Sequence, residues 1–364
     1  MSIIIFIIIL AILIFVHELG HFLVAKKAGI RVDEFGLGFP PRLFTKKWGE
    51  TTYTLNAIPF GGYVKIFGED SNIEQINETE RSKNFQYKPK WVQASVLVAG
   101  VTFNLIFAWL LISIGFMIGM PSAFDYSNLD NKNNLESVYI GVLQDSPAQK
   151  VGLMSGDKII SLSSDRQSLK TDELIPEKIR ELIDESQGEV EVIYERQNNS
   201  PVTVSVKPEY DSELERKTIG IMIGSQIVKL PIHWALIEGV HTTWLLTKET
   251  TIGLTGFLWK TITFRSNFSE VAGPVGIAGM VSQANNSGFI YLLFLVALIS
   301  INLTIINLLP FPALDGGRLL FVAIETIIRR PINPVFVRWA NGVGFALLIL
   351  LMIIITGHDI FKLI

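Results

Sequence analysis

LIFVHELGHFLVAKK, residues Leu13 to Lys27, places two histidines and a glutamate inside a run that is otherwise almost pure hydrocarbon. The run begins near the N-terminus and is long enough to cross a bilayer, which takes about 20 apolar residues. His17 and His21 are four residues apart, so on a helix their rings share one face, one turn apart. Helical histidines at that spacing can bind one zinc ion, and Glu18 between them can take a proton from water at the metal. The alternative is a pair of neutral histidines bonding across helices. Three ionisable groups in one apolar span are costly unless they share a partner, and a metal ion satisfies all three.

Working outward, four stretches have the length and composition of spans: 1–25, 92–120, 289–317 and 337–357. The chain is 364 residues long, 49% hydrophobic and 18% charged. It is too apolar for an ordinary soluble protein and too charged for a bare helical bundle, so a membrane protein with a water-exposed domain is expected. With 31 basic and 34 acidic residues there is no electrostatic footprint for nucleic acid. The absence of cysteine excludes disulfides, thiolate-bound zinc and a thiol nucleophile. The first stretch lacks a basic leader and ends in Ala25-Lys26-Lys27, a poor cleavage site, so a retained helix is expected rather than a signal peptide.

Basic residues orient the spans. The loop 26–91 holds 11 Lys and Arg, and Arg318, Arg329 and Arg330 lie between the third and fourth spans. The segment after the second span begins instead with Asp125 and Asp130. The basic loops are therefore expected in the cytoplasm of a bacterial cell, with both termini and the middle domain outside its multi-pass inner membrane. That middle domain, 125–227, alternates like strands, and Ser146-Pro147, Gly152 and Gly156-Asp157 punctuate it. Residues 228–288 mix tryptophans with polar groups and read as interfacial helices and a linker, with a fifth, marginal span as the alternative.

A catalytic zinc needs a third ligand. In NLLPFPALDGGRLLF, Asn307 to Phe321, two prolines and two glycines break the backbone beside Asp315. Irregular backbone at membrane depth is tolerated only where it is buried in protein or lines a wet cavity. Read by itself, PALDGG is as well explained as a helix-ending turn with Asp315 in solvent.

Taken together, HELGH in the first span, NLLPFPALDGG in the last third and SPAQKVGLMSGDKI between them resemble the site-2 protease family of intramembrane zinc metalloproteases, in its bacterial regulator-of-sigma-E branch. IPFGGYVKIFGED, AGPVGIAGM and GVTFN, Gly100 to Asn104, add to the resemblance, which covers nearly the whole chain. It implies a polytopic α-helical protein of about four spans with a re-entrant β-hairpin at 51–68 and an inserted PDZ-like β-rich domain, single where some relatives carry two. It implies His17, His21 and Asp315 as ligands of Zn2+, Glu18 as general base and Asn307 as a group holding substrate or oxyanion. It further implies a substrate held as an added strand by the hairpin, through Leu55, Ala57, Ile58, Gly61, Gly62 and Tyr63, with a turn at Phe60-Gly61-Gly62. In the PDZ-like domain the Tyr139, Ile140, Gly141 and Val142 strand would line a peptide groove. The expected substrate is a single-span membrane protein in the bilayer, already shortened by another protease. A non-catalytic scaffold and a zinc transporter are the rival readings. The complete set His17, Glu18, His21 and Asp315 argues against the first, and the general-base position against the second.

Overall fold

The computed structural model describes residues 2–69, 78–121, 135–143, 146–154, 156–170, 173–174, 176–196, 200–211, 216–228, 230–263 and 272–363. Asp125 and Asp130, and the start of the middle domain expected at 125, lie outside these residues. In chain order, α1 (Ser2–Lys27) leads into β1 (Val32–Trp48), β2 (Thr51–Ile66), the single turn α2 (Glu78–Arg81) and α3 (Lys90–Ile118). The middle of the chain contains β3 (Met120–Pro121), β4 (Leu135–Val142), α4 (Pro147–Lys150), β5 (Lys158–Ser163), β6 (Ser168–Lys170), α5 (Pro176–Glu185), β7 (Val190–Glu195), β8 (Val202–Val206), β9 (Glu209–Asp211), β10 (Arg216–Thr218) and β11 (Ile221–Val228). α6 (Ile232–Ile262), α7 (Pro274–Ser287), α8 (Phe289–Leu308), α9 (Asp315–Ile328) and α10 (Pro334–Leu363) complete it. Two compact units result, 1–113 with 236–364, and 114–235.

In the first unit, four helices among the described residues are long and apolar enough to cross a membrane: α1, α3, α8 and α10. α6 has 31 residues but is not among them. α1 closes on a left-handed glycine. Gly29 (φ 65°) lets Ile30 N–H donate to Ala25 and Gly29 N–H to Lys26, so the last carbonyls are satisfied as the chain turns. Ala25 and Ile30 then bury together with Val32, Ile66, Phe85, Val96 and Leu97, which ties the end of α1 to β1, β2 and α3. A second apolar cluster joins Ile9 and Leu13 of α1 to Val281 of α7. Gly20 makes the α1–α3 crossing possible, since any Cβ there would lie 2.8 Å from the Ala99 carbonyl carbon and 3.0 Å from the Phe103 ring.

Two sequence expectations are corrected here. The third span, expected to run to Gly317, ends at Leu308. Pro310 and Pro312 cannot continue it, and Asp315 opens the next helix. The arms of 51–68 do not form a hairpin with each other. Glu34–Leu37 lies between them, with Thr52–Leu55 as one neighbour and Gly62–Lys65 as the other. The two-residue turn Gly49-Glu50, with Gly49 at φ 62°, pairs Trp48 with Thr51 and folds Arg42–Trp48 back along Thr51–Asn56.

The second unit is a sheet in the order β3-β11-β4-β5-β7-β8, with β6 beside β5, packed on α5 through Ile140, Ile159, Leu162, Ile179, Leu182 and Val192. Ser146 caps α4, its hydroxyl accepting from Gln149 N–H. Asp157, 1% exposed, receives Arg196 through two bonds of 2.7 and 2.8 Å and also accepts Met154 N–H. That carboxylate raises the pKa of Arg196 above its ordinary value. The Gly156-Asp157 pair is thus a structural pin for the start of β5.

Candidate metal centre

α1 carries His17 and His21 to the same side of the helix, their Nε2 atoms 3.2 Å apart. Asp315 Oδ2 closes a triangle, 3.0 Å from His17 Nε2 and 3.2 Å from His21 Nε2. Zinc bonds of about 2.0–2.1 Å in a tetrahedron separate neighbouring ligand atoms by about 3.3 Å, so these three atoms form one face of such a site. Asp315 Oδ2 is buried and has no hydrogen-bond partner, as expected of a lone pair reserved for an ion. The donor set, two imidazoles and a carboxylate, suits zinc and leaves a fourth position.

The break after α8 explains how Asp315 reaches α1. Phe311 N–H donates to Leu309 at 2.7 Å, Leu314 N–H to Phe311, and Gly317 N–H to Leu314, which reverses the chain within a few residues. Gly316 packs on the Leu308 and Leu309 carbonyls and Gly317 on that of Phe311, where a Cβ has no room. Ala313 holds φ 75°, a conformation costly for a residue with a side chain, and its N–H donates to Asn341 of α10.

α3 forms the floor. Gly100 lies against both imidazoles: a Cβ there would meet His17 Cε1 at 2.7 Å and His21 Cε1 at 2.8 Å. His21 Nδ1 donates to the Val96 carbonyl at 2.8 Å, which leaves Nε2 for the metal. Ser300 and Thr304 of α8 bond the carbonyls of Asn104 and Val101, locking α8 onto α3. Sequence reasoning used Gly100 and Asn104 only as the ends of the GVTFN motif and gave Val96 and Asn341 no part. The signal was available for α3, since Val96, Gly100 and Asn104 repeat the four-residue step of the histidines.

The remaining expected residues divide. Gly62 belongs at the site: a Cβ on it would lie 3.3 Å from Glu18 Cγ and 3.2 Å from Ile14 Cγ2, so β2 passes beside the middle of α1. Asn307 sits half-buried in the last turn of α8. Leu55, Ala57 and Ile58 are exposed, and Gly61 turns the chain at φ 120°. Tyr63 is committed to the sheet. Its hydroxyl donates to Glu34 at 2.7 Å and lies 3.2 Å from Thr54 Oγ1, crossing over Gly36. The expectation for Tyr139–Val142 meets a strand that is already paired on both sides at two of the four residues. Val142, Gly141, Ile140 and Tyr139 pair with β11, while on the other side Tyr139 pairs with Lys158 and Ile140 bonds Gly156 and Asp157. β4 is therefore paired on both sides at Tyr139 and Ile140. Among the described residues β11 has an open edge, since it meets β3 only at Ile227 and Val228, and β8 is the edge at the other end of the sheet.

The profile of Peptidase family M50 matches residues 5–351. The chain belongs to that family, the site-2 proteases, and is a zinc metalloprotease. It is 30% identical to the regulator of sigma-W protease RasP of Bacillus subtilis, with 100% of this chain and 99% of the relative aligned. It is also 30% identical to the zinc metalloprotease RasP of Geobacillus kaustophilus, over 99% of this chain and 98% of the relative.

Proposed function

We propose that this metalloprotease cleaves single-span membrane proteins at the level of the bilayer, and that His17, His21 and Asp315 hold its zinc. The observation that carries the reading is the triangle of ligand atoms mounted on α1, a helix long and apolar enough to span the membrane. When bound there, zinc supplies a Lewis acid for the scissile carbonyl and for water. Glu18 takes the proton of the attacking water and returns it to the leaving amine. Asn307 donates to the substrate backbone or to the developing oxyanion.

A transmembrane helix hides its backbone, so the substrate must be unwound and its freed polar groups re-paired. The edge segment Gly62–Ile66 suits that task. Gly62 abuts Glu18, one side of the segment pairs with Val32–Leu37, and no strand among the described residues pairs with the other. An extended substrate strand added there runs past the general base. The contact of Gly62 with Ile14 and Glu18, in the interior of α1, supports a re-entrant sheet that dips to membrane depth.

The β-rich unit is read as PDZ-like, with its peptide edge on β11, and both it and the termini as extracytoplasmic, on the charge distribution of the loops. The name of the Bacillus subtilis relative, regulator of sigma-W protease, points to sigma-factor regulation, which suits a single-span anti-sigma factor as substrate, and a remnant signal peptide has the same single-span chemistry. Membrane proteomics of a strain carrying Glu18→Gln tests the reading. Shortened single-span proteins are expected to accumulate, and an unchanged membrane proteome would count against it.

A further inference from the structure

Asn104 is 0% exposed, and its side chain reaches His17, with Nδ2 3.4 Å from His17 Nδ1. The amide oxygen, Oδ1, is buried without a partner. His17 turns its other nitrogen, Nε2, toward His21 and Asp315. A neutral imidazole that offers Nε2 to a metal carries its proton on Nδ1, and that N–H needs an acceptor. An amide NH2 facing it leaves two donors in contact and an acceptor orphaned. Exchanging the nitrogen and oxygen of Asn104 by a half-turn of the amide, two atoms of the same shape, removes both faults at once.

We propose that Asn104 is a positioning residue for zinc: its Oδ1 accepts from His17 Nδ1–H and fixes the tautomer that presents Nε2. α3 then supplies one acceptor for each histidine. The Val96 carbonyl serves His21, the Asn104 amide serves His17, and the bare Gly100 between them admits both rings. The three residues are spaced four apart on one helix face, matching the four-residue spacing of His17 and His21. Ser300 Oγ, bonded to the Asn104 carbonyl at 2.8 Å, holds the residue in place from α8. This inference rests on the zinc-protease reading of the site.

The experiment measures zinc affinity by chelator competition on the purified full-length protein, with the visible spectrum of the cobalt-substituted form as a second readout. Asn104→Leu keeps the volume and removes the acceptor. It is expected to lose about 10- to 100-fold in zinc affinity and to change the cobalt spectrum. Asn104→Asp restores an acceptor and is expected to bind close to the parent. Parent-like zinc binding by the leucine variant overturns the proposal, as does equal loss in both variants while both remain folded. Histidine labelled with nitrogen-15 in the zinc-loaded parent reads the tautomer with no substitution: His17 protonated on Nδ1 supports the proposal, and His17 metallated through Nδ1 overturns it. A parent protein that takes up no zinc at all defeats the underlying reading of the site, and the proposal with it.

Discussion

Gly100 and Glu18 separate two ways of disabling the site. A methyl at position 100 enters the space of both imidazoles, and neither ring can retreat, because His21 is tied to Val96 and both face Asp315. Gly100→Ala is therefore expected to reduce zinc content and activity together in a folded protein, read by metal analysis beside thermal unfolding. Full zinc stoichiometry in that variant would show that the rings have slack the packing does not suggest. Glu18→Gln leaves all three ligands untouched and is expected to abolish cleavage while zinc remains. Turnover at the parental rate would remove Glu18 as the base. The pairing of His17 with His21 was legible because HELGH puts them on one helix face, a matter of local periodicity alone. Asn104 stood out only as the end of GVTFN, and its contact with His17 was not legible, since that depends on how α3 crosses α1.

At the scale of elements, the break between α8 and α9 aims Asp315. Its backbone is held in a costly shape by a side chain from α10, with Asn341 accepting Ala313 N–H at 3.1 Å. Asn341→Leu removes that acceptor, at a cost of about 1–3 kcal/mol for the stranded donor, and is expected to weaken zinc binding although the residue touches no ligand. Ala313→Gly relaxes the left-handed position and is expected to recover part of the loss in the double variant. If the glycine leaves the asparagine variant unimproved in both stability and zinc affinity, strain at Ala313 plays no part in placing Asp315. Prolines and glycines made the break itself legible, but not where the next helix starts: the third span was carried to Gly317, past the turn that ends at Asp315. The β-segment failed differently. Thr51–Gly68 contains two good arms and a glycine turn, and nothing local shows that Glu34–Leu37 will come between them. Strand order is a long-range property. The edge it exposes sharpens a proline scan. Proline from Gly62 to Ile66 is expected to reduce cleavage in alternation, strongly where the N–H faces outward, with zinc retained. Normal cleavage by every folded, zinc-loaded variant would move substrate binding elsewhere.

For the whole molecule, the two units invite separation. The proposed metal ligands His17, His21 and Asp315, together with Glu18, Asn307 and the Gly62–Ile66 edge, all belong to the first unit, and the second has its own core and its own pin between Asp157 and Arg196. Removing Arg196 strands a buried carboxylate, a loss of about 3 kcal/mol, and that change should stay within the second unit. The chain enters and leaves the second unit side by side, since Met120 pairs with Val228 and Pro121 with Ile227. Paired strands lie about 4.8 Å apart, so a few glycines and serines can replace residues 122–226 without moving the ends of the flanking helices. The protein with that replacement is expected to bind zinc and to cleave a short single-span substrate at close to the parental rate, because no proposed catalytic group has been removed. If the β-rich unit screens substrates, the difference will appear in selection: a substrate with its full ectodomain, refused by the parent, will be cut by the shortened enzyme. Equal refusal by both enzymes would reject the screening role and leave the catalytic assignment standing. Loss of zinc from the shortened protein would instead show that the second unit is needed to hold the first together, against the separate cores from which the prediction is drawn.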